Sequence, residues 1–148
     1  MLELGTAHGL SGLHIIAALE TSQRGHLNTV ELDPTRRALA VNAFERFFPG
    51  SNRWTSVESS FSGALPDLAE AVAPIDVIFE DGPHTHDVTL QAFERSIAFL
   101  KPGGLYIVDD ICFDRQQEKA WVAIRNDRRI EASLEINARF GVCVRSAH

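Results

Sequence analysis

A chain of 148 residues, 45% hydrophobic and 23% charged, has the composition of one globular domain around a single core, and nothing in it predicts disorder or internal repeats. Its formal net charge of −6 repels phosphate backbones, so no nucleic-acid partner is expected. No apolar run approaches the roughly 18 residues of a membrane span and Glu3 and Gly5 interrupt any signal peptide, so no membrane partner and a cytoplasmic location are expected.

Strand and helix patterns then alternate along the chain. Residues 1–4 read as the end of a truncated first strand, with no helix before it. Residues 11–20 carry Leu13, Ile16, Ala17 and Leu19 at helical spacing, with Ser11 placed to cap them and His14 on the apolar face as a packed core histidine. A strand at 27–32 leads into Asp33-Pro34, a helix-start signal, and a helix at 34–48 closes at Pro49-Gly50. A short strand at 54–57 and a helix at 64–73 precede a buried strand at 76–79. A helix at 88–100 ends in Lys101-Pro102-Gly103-Gly104, before a strand at 105–108 and a helix at 116–124. Two strands, 130–136 and 142–145, have only a short connection and form an antiparallel hairpin. The expected fold is a single α/β domain over residues 1–148: a Rossmann-like, mostly parallel seven-stranded sheet, helices on both faces and a C-terminal antiparallel hairpin.

Arg125, Arg128 and Arg129 are interrupted by Glu118, Asp127 and Glu131 and read as a solvated face. Cys112 and Cys143 fall in predicted core segments without metal-ligand spacing and are expected as two buried thiols. Trp54 and Trp121 read as core or edge residues, and Phe113 as either a helix-packing residue or a wall of an acceptor pocket.

In an open α/β sheet, ligands sit outside the carboxyl ends of the strands where strand order reverses. The first strand-to-helix turn holds Gly5 and Gly9, which let a ligand approach the backbone. Glu31 ends the second strand, where a carboxylate accepts from ribose hydroxyls.

The ordered segments Glu3-Leu4-Gly5-Thr6-Ala7-His8-Gly9-Leu10-Ser11, Val30-Glu31-Leu32-Asp33, Phe79-Glu80-Asp81-Gly82-Pro83-His84, Leu100-Lys101-Pro102-Gly103-Gly104 and Val108-Asp109-Asp110 resemble the motifs of class I S-adenosylmethionine-dependent methyltransferases over nearly the whole chain. Within that class the sequence is similar to small-molecule O-methyltransferases of the catechol-type and sugar-directed kinds. The resemblance implies S-adenosylmethionine as cofactor. Glu3 would orient the turn or meet the methionine ammonium through water, Gly5, Thr6 and Gly9 would line the methionine part, and Ser11 would be among the cofactor-binding residues. Glu31 would hold the ribose, Ser59 and Ser60 would meet the adenine, and Asp81 would lie beside the cofactor.

Asp81 ends the fourth strand, and Asp109 and Asp110 end the fifth, so three carboxylates meet at one rim and repel one another unless a cation or proton intervenes. Such oxygen donors suit Mg²⁺ or another hard divalent cation, and the resemblance implies Asp81, Asp109 and Asp110 as its ligands. The alternative role for such an Asp is a cofactor contact or helix cap. His84 stands near the expected acceptor as candidate general base, with His86 in reserve.

The function read from the sequence is methyl transfer to a hydroxyl of a small-molecule acceptor, with divalent-metal assistance and a homodimer among the expectations. Two other readings stay open. A truncated, non-catalytic domain would keep only a binding role. An NAD-dependent oxidoreductase is disfavoured because the third glycine of G-x-G-x-x-G is missing and no Tyr-x-x-x-Lys pair appears.

Overall fold

The computed structural model describes residues 1–147, and the side chains of all of these except residues 61–64 and 66. In chain order the elements are β1 (Leu2–Leu4), α1 (Leu10–Ser22), β2 (Leu27–Glu31), α2 (Pro34–Phe47), β3 (Trp54–Glu58), α3 (Phe61–Val72) and β4 (Ile75–Glu80). There follow α4 (His86–Ser96), a 3₁₀ turn (Ile97–Phe99), β5 (Leu100–Val108), α5 (Arg115–Arg125), β6 (Ile130–Ile136) and β7 (Phe140–Arg145).

The seven strands form one sheet in the order β3-β2-β1-β4-β5-β7-β6. The first five are parallel, and β7 runs antiparallel to both β5 and β6. Strand order reverses between β1 and β4. Right-handed crossovers that step outward from β1 to β3 place α1 and α2 on one face, and those that return through β4 to β5 place α3 and α4 on the other. The packing agrees: α1 lies against α2, and α4 lies between α3 and α5. The larger core fills the α3–α4–α5 side around Ile78, Phe93, Tyr106 and Trp121. A smaller one, Ile16, Leu27, Ala40 and Phe44, lies beneath α1 and α2.

Local chemistry sets the helix starts. Asp33 accepts the N–H groups of Thr35 and Arg36 ahead of Pro34, and Asp114 accepts those of Gln116 and Gln117. The first helix departs from expectation. It begins at Leu10 behind a left-handed Gly9 and has no side-chain cap, so Ser11 lies inside its first turn. Its buried positions are Gly12 and Ile16, and His14 is exposed rather than packed in the core.

Two further expectations are corrected. Cys112 is exposed, because β5 ends at Val108 and the chain has turned outward by residue 112; only Cys143 is a buried thiol. Leu100 belongs to β5 rather than to the preceding helix, pairing with Ile75 before the register jumps to Val77–Leu105. The first strand is short and sits mid-sheet, with Leu2 and Leu4 wholly buried.

The hairpin is fixed from one side by α5. Trp121 donates its indole N–H to Glu135 at 2.7 Å, and its ring lies where a side chain on Gly141 would stand, 2.5 Å from an added Cβ. Gly141→Val should therefore destabilise the domain by about 1–3 kcal/mol, the usual cost of overpacking, seen as a lower urea midpoint. An unchanged midpoint would show that Trp121 does not fix the hairpin.

Candidate active site

The first turn is built by hydrogen bonds that run on past the strand ends. Val30 C=O accepts from Gly5 N–H and Thr6 N–H at 3.0 and 3.2 Å, and Leu4 C=O accepts from Asp81 N–H at 2.8 Å. This brings Gly5 onto the backbone of Asp81: a Cβ at residue 5 would lie 2.0 Å from the Asp81 carbonyl oxygen, and Gly5 has φ of +105°. Both the dihedral and the space require glycine.

Beneath the turn lies a buried polar chain. Thr29 donates its hydroxyl to Glu3 Oε2 and, with its only proton spent, accepts from the Thr6 hydroxyl. Burial raises the Glu3 carboxyl above its usual range, against hydrogen bonds from Ser11 and Thr29. Glu3 Oε1 is buried with no partner among the described residues. Gly12 completes the turn: a Cβ there would meet the Phe44 ring at 2.5 Å. The close-packing glycine judged missing from the sequence is present in Gly9-x-x-Gly12, and the departure is three residues rather than one between Gly5 and Gly9.

Glu31 Oε2 accepts Ala7 N–H at 2.8 Å and Oε1 accepts Asp33 N–H at 2.9 Å. Its carboxylate is thus fixed on the wall of a cavity of about 540 Å³, ample for a nucleoside-sized ligand. Gly5, Glu31, Ser60, Asp81 and His84 line it, as do Arg36 and Gln91, which sequence reasoning did not single out. The other expected contacts, Glu3, Thr6, Gly9, Ser11 and Ser59, are not among the residues that line it; the Ser59 hydroxyl turns to the Ser60 carbonyl.

The three acids do gather at the neighbouring rim. His84, in a left-handed conformation (φ 50°), holds Nε2 3.6 Å from Asp81 Oδ1 and 3.7 Å from Asp110 Oδ2. Its Nδ1 is buried without a partner among the described residues, and its ring lies 5.6 Å from that of Phe113. His86 is turned aside onto Asp87 at 2.8 Å. Arg139, from the β6–β7 turn, grips Asp109 with two parallel bonds: Nε to Oδ1 at 2.9 Å and Nη2 to Oδ2 at 3.0 Å. Its Nε is also 3.4 Å from Asp110 Oδ1.

A protein-family profile described as a methyltransferase domain matches residues 2–111. The chain belongs to that family. Over 54 residues, 36% of this chain, it is 41% identical to the 8-demethyl-8-alpha-L-rhamnosyl tetracenomycin-C 2'-O-methyltransferase of Streptomyces olivaceus, 14% of which is covered. The O-methyltransferase TomG of Streptomyces achromogenes, involved in tomaymycin synthesis and solved with SAM, is similar at TM-score 0.80 and 18% identity, over 99% of this chain and 72% of that one. The MycE methyltransferase of the mycinamycin pathway, in complex with Mg, SAH and mycinamycin VI, is similar at TM-score 0.71 and 16% identity, over 98% of this chain and 44% of that one. The chain spans less than half the length of the curated relatives it matches.

The methyltransferase domain holds its acid rim under electrostatic tension. Burial first, then the charge of Asp109, pushes Asp81 from 3.8 up to about 6. Glu80, wholly buried at the end of β4, is pushed up to about 7 by burial, against the N–H of Gly82. For Asp109 burial also works against the charged form, but Arg139 outweighs it and holds the carboxyl below its usual range. The donors suit a hard divalent ion in chemistry. In this conformation, though, no three acidic, histidine or cysteine side chains among the described residues converge closely enough to hold one, with both oxygens of Asp109 in the guanidinium fork. No described helix is long and apolar enough to cross a membrane.

Because Asp81 keeps its proton up to about pH 6 when folded and loses it near 3.8 when unfolded, the folded state binds more protons in that window and loses stability as pH rises through it. With a chelator present, Asp81→Asn should flatten this decline and gain on the order of 1–3 kcal/mol at pH 7.5, measured by urea unfolding. An Asn variant that keeps the parent's pH slope would place the tension elsewhere.

Proposed function

We propose that the domain transfers a methyl group from S-adenosylmethionine to a hydroxyl of a small-molecule acceptor at the rim beside His84. The observation that carries this reading is one cavity with Glu31 and Gly5 on its wall and Asp81 and His84 also lining it, so that a nucleoside site adjoins a proton acceptor. The unpartnered Glu3 Oε1 and the glycine-only approach at Gly5 fit the amino-acid part of such a cofactor. Glu31, with one N–H on each oxygen, keeps lone pairs for two ribose hydroxyls. Ser60 is the adenine-side contact.

Held by Gly5, Glu31 and Ser60, S-adenosylmethionine would supply a sulfonium methyl group that passes to the acceptor oxygen, with the electron pair of the C–S bond left on sulfur. His84 Nε2 takes the proton that the acceptor hydroxyl must lose, and the carboxylates of Asp81 and Asp110 stabilise the resulting imidazolium. Asp81, Asp109 and Asp110 would hold a divalent cation, which supplies a lowered hydroxyl pKa and a fixed angle for vicinal oxygens when bound. The sugar oxygen in the tetracenomycin enzyme's name and the Mg in the MycE complex support a vicinal-diol acceptor and that cation. Phe113, in ring contact with His84 and exposed, provides an apolar wall for the acceptor.

Calorimetry should detect S-adenosylmethionine but not NAD, and Glu31→Ala should weaken binding by about 1–3 kcal/mol, the worth of a charge-assisted pair. Binding of NAD alone would overturn the reading. His84→Ala should lower kcat by roughly 10²–10⁴ with the cofactor Kd unchanged; a retained kcat would remove His84 from the chemistry.

A further inference from the structure

The basic side chain nearest the acid rim is on the hairpin, not on any of the motifs that mark the site. Arg139 follows two left-handed residues, Asn137 (φ 53°) and Ala138 (φ 51°), and its N–H closes the turn on Ile136 C=O at 3.0 Å. Left-handed Ala is costly, so the turn holds its shape against local preference. The Arg139 carbonyl accepts from Ile111 N–H at 2.9 Å, tying the turn to the segment just past Asp110. The backbone is therefore fixed beside the acids, while the side chain itself is 58% exposed, its guanidinium lying over the Phe140 ring at 5.2 Å from the centroid.

That side chain covers both oxygens of Asp109, whose own side chain is 5% exposed. Each Asp109 oxygen keeps a lone pair, but a divalent ion seated on it would stand against the guanidinium, and the two positive charges repel at contact distance. Resting on the metal-assisted reading above, we propose that Arg139 is a tethered competitor for the metal: it neutralises Asp109 when no ion is bound and must swing to solvent when one binds. The exchange requires the arginine to leave its exposed position and Asp81, Asp109 and Asp110 to draw together on the ion. The tether keeps the guanidinium at high local concentration, so the affinity of this domain for divalent ions is set by the exchange rather than by the carboxylates alone.

The test is Mn²⁺ binding to the intact chain, followed by electron paramagnetic resonance of the free ion, for the parent, Arg139→Gln and Asp109→Asn. Arg139→Gln should bind Mn²⁺ at least about 10-fold more tightly than the parent, since a charge-assisted pair no longer has to be broken. Equal or weaker binding by Arg139→Gln, with binding still abolished in Asp109→Asn, would overturn the competition and leave the metal reading standing. No binding by the parent or Arg139→Gln would overturn both. If Arg139→Gln does not fold, the parent decides: on adding Mg²⁺ its Arg139 Nε–Hε resonance should move to the position of a solvated guanidinium, and a stationary resonance alongside measured Mg²⁺ binding would overturn the exchange.

Discussion

The site depends on a main-chain ladder that continues one step beyond the strands. Ser59 N–H donates to Glu31 C=O, Gly5 to Val30, Asp81 to Leu4 and Asp109 to Glu80, at 2.8 to 3.0 Å. Each of these bonds crosses between neighbouring parallel strands at their carboxyl edge, and each donor belongs to the cavity wall or the acid rim, save Ser59, which directly precedes the lining residue Ser60. The relative placement of the two halves of the site is therefore backbone geometry, insensitive to rotamers. The price is the close contact of Gly5 with the Asp81 carbonyl, which leaves no room for a side chain at the one position where the two halves touch.

That regularity explains how much was legible beforehand. Residues at strand ends can be found from strand periodicity, so Gly5, Glu31, Asp81, Asp109 and Asp110 were placed at the rim from the sequence. What escaped was whatever depends on contacts across the fold. Thr29 and Glu80 sit within strands and read as ordinary strand residues, yet Thr29 joins Thr6 to Glu3, and Glu80 is a buried carboxyl under the rim. Gly12 is a helical residue whose role appears only once Phe44 from α2 packs on it. The mistake over His14 has a related cause: Leu13, Ile15 and Ile16 put apolar residues around much of α1, so periodicity alone does not say which side is inward.

Arg139 was the largest omission, because 30 residues separate it from Asp109 and no motif spans that distance. Only the antiparallel return of β7 alongside β5 brings the hairpin turn to the end of the fifth strand. One signal was present. Three acids at one rim demand a cation, and a search for an arginine at a turn expected on the same edge would have reached residues 137–141.

The C-terminal hairpin thus does more than extend the sheet. Its outer strand β6 is held by Glu135, which accepts both from the Trp121 indole and from Arg125 on α5, and its inner strand by the fit of Gly141 beneath the same ring. These contacts fix where the turn stands, and the turn fixes where a guanidinium can reach. A carboxylate rim raised in free energy by its own repulsion is tolerable in the folded chain only if something answers the charge. Here Glu80 and Asp81 are pushed up to about 7 and about 6, so that each takes up a proton more readily, and Asp109 answers the charge with Arg139. The division follows from position: β4 ends against buried surroundings, where His84 is the nearest basic partner of Asp81 among the described residues and Arg139 acts on it only from farther off, whereas β5 ends facing the hairpin, which delivers the guanidinium directly onto Asp109.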